Sequence, residues 1–90
     1  MGNEHSSIVP YGVYRVKDQH IMIAGATNAQ FKSMCEVIAR PDLPSLYNNN
    51  SVRVKHRAKI REELEREFAK WEINELCIAF NNVKVPASKI

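Results

Sequence analysis

Few side chains in this 90-residue chain could do chemistry, and their spacing decides which kind. The histidines His5, His20 and His56 fall in three separate stretches, and neither Cys35 nor Cys77 has a histidine near it. Structural zinc needs four ligands at recognisable spacings, so no metal site is expected. A thiol nucleophile needs a neighbour that stabilises its thiolate. Both cysteines instead sit on the apolar faces of expected helices, which reads as buried core thiols. Asp18 and Asp42 each fall where a turn is expected, so no pair of carboxylates can be assigned to acid–base work. Gly2, Gly12 and Gly25 are too scattered for a phosphate-cradling loop. No catalytic residue is assigned.

What remains is a run of cations, Arg53, Lys55, Arg57, Lys59 and Arg61, followed by Glu62, Glu63, Glu65 and Glu67. On a 3.6-residue period Val54, Ile60, Leu64, Phe68 and Trp71 share one arc with Ala58 at its edge, which predicts a single amphipathic helix over residues 50–71. Asn48, Asn49, Asn50 and Ser51 supply its N-caps. Arg53, Arg57 and Arg61 fall inside the apolar arc, Lys55 and Lys59 opposite, and the glutamates continue the solvent side. An arginine on a core-facing stripe needs a carboxylate, a carbonyl or a bound anion. Cations at a helix N-terminus also oppose its dipole. The first half of this helix is therefore expected to meet something acidic, or another chain.

The elements that must position these residues follow from period and punctuation. Residues 1–10 read as a loop or junction segment, with Pro10 and Gly12 breaking the apolar run around Tyr11, and residues 11–90 as a single small domain. Val13-Tyr14-Arg15-Val16 and His20-Ile21-Met22-Ile23-Ala24, around Lys17-Asp18-Gln19, predict an antiparallel hairpin. Thr27 or Asn28 caps a helix over residues 29–39 with Phe31, Met34, Cys35 and Ile38 on one face, stopped by Arg40-Pro41. Residues 42–47 read as an apolar link anchored by Leu43, Leu46 and Tyr47. After the long helix, Glu72 or Asn74 starts another with Ile73, Leu76, Cys77 and Phe80 inward, and Val83-Lys84-Val85-Pro86 reads as a final extended segment. The fold class is α+β: an N-terminal β-hairpin, three to four helices and a short C-terminal strand.

A hydrophobic fraction of 44% is that of a folded chain, and a formal charge of +3, from thirteen basic and ten acidic residues, is too weak to imply a nucleic-acid partner. No stretch approaches the length of a membrane span, and no basic n-region precedes an apolar run. Two cysteines in helices suit a reducing compartment, so a cytoplasmic location is expected.

With the elements in order, a likeness to a known family emerges. GNEHSSIVPYGVY resembles the GN-x-HP-x-IVPY-x-x-F segment of family III CoA-transferases, the group of formyl-CoA transferase, the carnitine and bile-acid CoA-transferases and alpha-methylacyl-CoA racemase. VKDQHIMIAGATNAQFKSMCEVIARPDL is similar to that family's hairpin with its I-x-I-A strand and its W/F-x-x-x-C-x-x-x-x-RP-x-L helix. LYNNNSVRVKHRAKI resembles RF-x-TN-x-x-RV-x-x-R-x-x-L, with Tyr47, Asn50, Arg53, Val54 and Arg57 at matching places. NNVKVPASKI resembles the closing AGVPAGPV. Ser6, Gln19, Leu46 and Ser88-Lys89 depart from those patterns, and the link is about two residues short.

The resemblance implies the small domain of such an enzyme without its large catalytic domain, where the family's catalytic aspartate resides. It therefore implies a chain inactive alone, serving as an assembly or binding module through self-association or a large-domain partner. Alternatives are a carrier or regulator binding CoA or an acyl-CoA, and a complementing subunit of a split transferase. Candidate cofactor contacts are Asn3 and His5 in the leading loop, and Arg53 and Arg57. The last two match the family pattern, which also suits a structural role in docking the link and hairpin. Arg61 has no counterpart in that pattern and is the candidate for an interface contact particular to this protein.

Overall fold

Alternating apolar and polar residues set the hairpin. The computed structural model, which describes residues 7–25 and 27–90, pairs β1 (Tyr11–Val16) antiparallel with β2 (Gln19–Ala24), from Tyr11 opposite Ala24 to Val16 opposite Gln19. The connection is the two residues Lys17 and Asp18, one fewer than expected, with Lys17 at φ 61, the left-handed value that a tight hairpin turn requires at its first central position. β1 also begins two residues earlier than expected, because Gly12 takes φ 134 and carries the strand through. Gly12, Tyr14, Val16, Ile21 and Ile23 face inward and are buried.

The third strand is not residues 83–86. Val83 caps the last helix, Lys84 turns left-handed at φ 70, and the strand β3 is Ala87–Lys89, antiparallel to β2 with Met22 opposite Ser88. The amides of Lys84 and Val85 return to the carbonyls of Asn81 and Phe80, a closing turn that removes these residues from strand pairing. The sheet order is β1-β2-β3.

Among the described residues there are five helices rather than three to four. α1 (Asn28–Val37) opens on a full capping box between Thr27 and Gln30 and buries Phe31, Met34 and Cys35. It closes with Ala39 at φ 60 while the amides of Arg40 and Ala39 reach the carbonyls of Cys35 and Glu36. The expected link is itself a short helix, α2 (Asp42–Leu46), anchored by buried Leu43. The expected long helix is two, α3 (Asn50–Lys55) and α4 (Arg57–Phe68), broken at His56 with φ −111 and ψ 28. The break puts Arg53 and Lys55 in the last turn of α3, where the dipole favours cations instead of opposing them. α5 (Ile73–Asn82) is capped by the Glu72 carboxylate, which accepts from the Glu75 amide.

Phe68 joins the layers. Its ring meets Tyr14 of β1 edge-on at 6.2 Å and Phe80 of α5 at 5.7 Å. With Ile60 and Leu64 it forms the buried stripe of α4, each side chain contributing about 1.5–3 kcal/mol of burial.

Candidate functional site

Of the candidate contacts, Arg53 is the most fully enclosed, at 1% exposure. Its Nε donates to the Val9 carbonyl at 2.6 Å, Nη1 to the Tyr47 carbonyl at 3.0 Å and Nη2 to Asn28 Oδ1 at 2.8 Å. The guanidinium also lies 4.9 Å from the centre of the Phe31 ring. The partner demanded by a core-facing arginine is therefore a set of neutral oxygens within the domain. Asn50, one turn earlier, accepts from the Val9 amide at 3.0 Å and donates to the Ser7 carbonyl at 2.6 Å. Together these two side chains fasten the segment leading into β1. Asn3 and His5 lie outside the described residues.

Arg57 is half-buried, and its Nε points to the Val54 carbonyl at 3.5 Å. Arg61 turns toward the free edge of the sheet. Its Nη1 donates to the Val13 carbonyl at 2.9 Å and to Glu65 Oε2 at 3.0 Å, and its guanidinium lies 4.3 Å from the centre of the Tyr14 ring. That same Glu65 oxygen accepts from the Arg15 amide at 2.9 Å. Two side chains one helical turn apart thus stand in for a neighbouring strand, occupying edge groups that would otherwise invite pairing. Burial pushes the Tyr14 phenol up to about 12, with Arg61 drawing it down in part. On the opposite edge the Asn81 carboxamide does the same for Ala87, donating to its carbonyl at 2.7 Å and accepting from its amide at 3.3 Å.

Sequence reasoning missed Arg40. Its guanidinium binds Asp42 through two bonds of 2.9 and 3.0 Å, Glu63 at 2.7 Å and Glu67 at 3.1 Å, so that three carboxylates converge on one cation. Lys59 and Arg66 of α4, and Lys70 just beyond its end, complete the network. Glu63 and Glu67 are each 8% exposed, correcting the expectation that the glutamates all face solvent. Arg40 holds Asp42 and Glu63 below the usual carboxylate range, and Lys70 followed by Arg40 does so for Glu67. The signal was the spacing Glu63–Glu67, one turn apart beside Ile60 and Leu64.

The remaining reactive groups are dispersed. Cys35 and Cys77 are both free, and burial pushes Cys35 up to about 12 and Cys77 up as well, away from thiolate chemistry. Cys77 is half-buried rather than enclosed. His20 is exposed on β2, while the ring of His56 lies against Tyr47 with centroids 5.6 Å apart. Among the described residues no three His, Cys, Asp or Glu side chains gather into a metal-binding group, and no helix is long and apolar enough to cross a membrane.

Comparison with known proteins matches the whole chain, residues 1–90, to the family described as CoA-transferase family III. The succinyl-CoA:mesaconate CoA-transferase of Haloarcula hispanica is 30% identical over 99% of the chain and 22% of its own length. The human succinyl-CoA:glutarate CoA-transferase is 31% identical over 99% of the chain and 21% of its own length. A CAIB/BAIF family protein from Brucella suis superposes with a TM-score of 0.93 at 30% identity, covering 100% of this chain and 24% of that one. The chain spans about a fifth of the curated relatives it matches. It belongs to CoA-transferase family III, and its α+β fold is that of a small domain of these larger proteins.

Proposed function

We propose that this domain is an assembly module of the CoA-transferase family, without transferase activity of its own, working by self-association or beside a larger family domain. The observation that carries this reading is the enclosure of Arg53. This candidate contact gives donors to Val9, Tyr47 and Asn28 and, at 1% exposure, presents no open face to a phosphate or a thioester. Arg61 is likewise committed, to the sheet edge. These are contacts that hold a domain together rather than contacts that wait for CoA. The small share of the relatives' length supports a part that works beside further structure. Two free thiols suit a reducing compartment such as the cytoplasm.

The test is an assay for transfer of CoA from succinyl-CoA to glutarate or mesaconate, the compounds in the relatives' names, by the purified chain. No turnover above the uncatalysed rate is expected. Transfer that scales with the concentration of the chain would overturn the reading.

A further inference from the structure

Among the described residues β1 stands at the free end of the order β1-β2-β3, and helix side chains rather than a further strand meet its edge. The Arg15 amide and the Val13 carbonyl point away from β2, where Glu65 and Arg61 meet them at 2.9 Å each. Period-two alternation turns the backbone groups of Tyr11, Val13 and Arg15 outward together. Arg61 and Glu65 also bind each other at 3.0 Å, and both side chains stay partly open to solvent, at 30% and 28%. They are surface groups held against the edge, unlike the enclosed Arg53.

We infer that Arg61 and Glu65 are a guard that keeps β1 from pairing with β1 of a second copy. The strand carries its own complement. With Val13 set opposite Val13 of another copy in an antiparallel pair, the two residues exchange both backbone hydrogen bonds. Tyr14 of each copy then falls opposite Gly12 of the other, where the missing side chain leaves room beside the ring. On the outer face, Arg15 of each copy falls opposite Tyr11 of the other, cation against aromatic ring. The strand is six residues long and holds no proline, so nothing in its backbone blocks such pairing. Arg61 and Glu65 occupy the Val13 carbonyl and the Arg15 amide, two of the groups this pairing needs. The guard is independent of the assembly reading, because it concerns an edge that the intact chain keeps closed.

Sedimentation equilibrium of Arg61→Ala/Glu65→Ala tests this against the parent and against Lys59→Ala/Glu62→Ala, which removes an exposed ion pair of the same helix. Both double variants keep the net charge of the parent. The edge variant is expected to associate at least about tenfold more tightly than the parent, and the control to stay within about twofold of it. In dilute solution the Arg15 amide of the edge variant should exchange its hydrogen at least about tenfold faster than in the parent, and slow again as concentration rises. Circular dichroism establishes that each variant is folded. Where the double variant does not fold, Glu65→Ala alone opens the Arg15 amide, and a gain in association of about threefold is expected. A folded edge variant that associates no more tightly than the parent overturns the guard, as does an equal gain in the control. Association that leaves the Arg15 amide as exchangeable as in dilute solution overturns pairing through β1.

Discussion

Glu65 and Arg15 are fifty residues apart, yet the Glu65 carboxylate accepts the Arg15 backbone amide at 2.9 Å and so closes the sheet edge with a side chain. Arg61 completes the closure at Val13 from the same helix face. Glu65→Ala and Arg61→Ala are each expected to lower stability by about 1 kcal/mol, with a coupling of a few tenths in the double variant. Urea unfolding of the four proteins measures this. An Arg61→Ala protein with unchanged stability and unchanged association would remove both the edge role and the interface role of that residue.

Arg53→Ala leaves the Val9 and Tyr47 carbonyls without their donor inside the protein and opens a void beside Phe31. A loss of about 3 kcal/mol or more is expected, a large part of a small domain's stability. Arg53→Lys does not restore it, because an ammonium cannot reach three acceptors held in a planar fork. Thermal melts decide: a Lys variant as stable as the parent would show that charge alone matters here.

The carboxylates around Arg40 set the acid limb of stability. Asp42, Glu63 and Glu67 are all held below their ordinary values of 3.8, 4.5 and 4.5. Groups with a depressed folded-state value stabilise the fold above their ordinary pKa and lose that contribution as pH falls through the depressed one. Stability should therefore be flat near neutrality and fall below about pH 4.5. Arg40→Met removes the guanidinium that most depresses Asp42 and Glu63 and should shallow that fall. Equal pH slopes for parent and variant would assign the acid limb to other groups.

Three backbone positions separate strain from fit. Ala39 occupies a left-handed helix terminus at φ 60, so Ala39→Gly should stabilise by about 0.5–1 kcal/mol. Gly12 at φ 134 tolerates no side chain without strain, and Gly12→Ala should cost about 1–2 kcal/mol. At Gly25 an added methyl would meet Met34, Pro10 and Val85 at an ordinary 3.5 Å, so Gly25→Ala should be neutral or slightly stabilising. Denaturation midpoints are expected to rank Ala39→Gly above Gly25→Ala, and Gly25→Ala above Gly12→Ala.

Legibility in the sequence followed the range of the interaction. The hairpin and the inward faces of α1 and α5 were readable, because local period and the Thr27 and Glu72 caps decide them. The break at His56 carries no glycine or proline to mark it in the sequence. β3 was displaced because Val83 and Val85 look like strand residues, while the closing turn of α5 claims them. Arg40 was invisible because two of its three carboxylates lie 23 and 27 residues away. The core-side setting of Arg53 was readable from the helical wheel, but the identity of its oxygen partners was not.

On the proposed reading Arg53 holds the domain together, and neither it nor Arg57 holds CoA. Calorimetric titration of the purified chain with CoA and with succinyl-CoA tests it most directly. No binding heat is expected up to about millimolar ligand, corresponding to less than about 4 kcal/mol of affinity. Saturable heat at micromolar ligand that disappears in Arg57→Ala, with the fold intact, would contradict it.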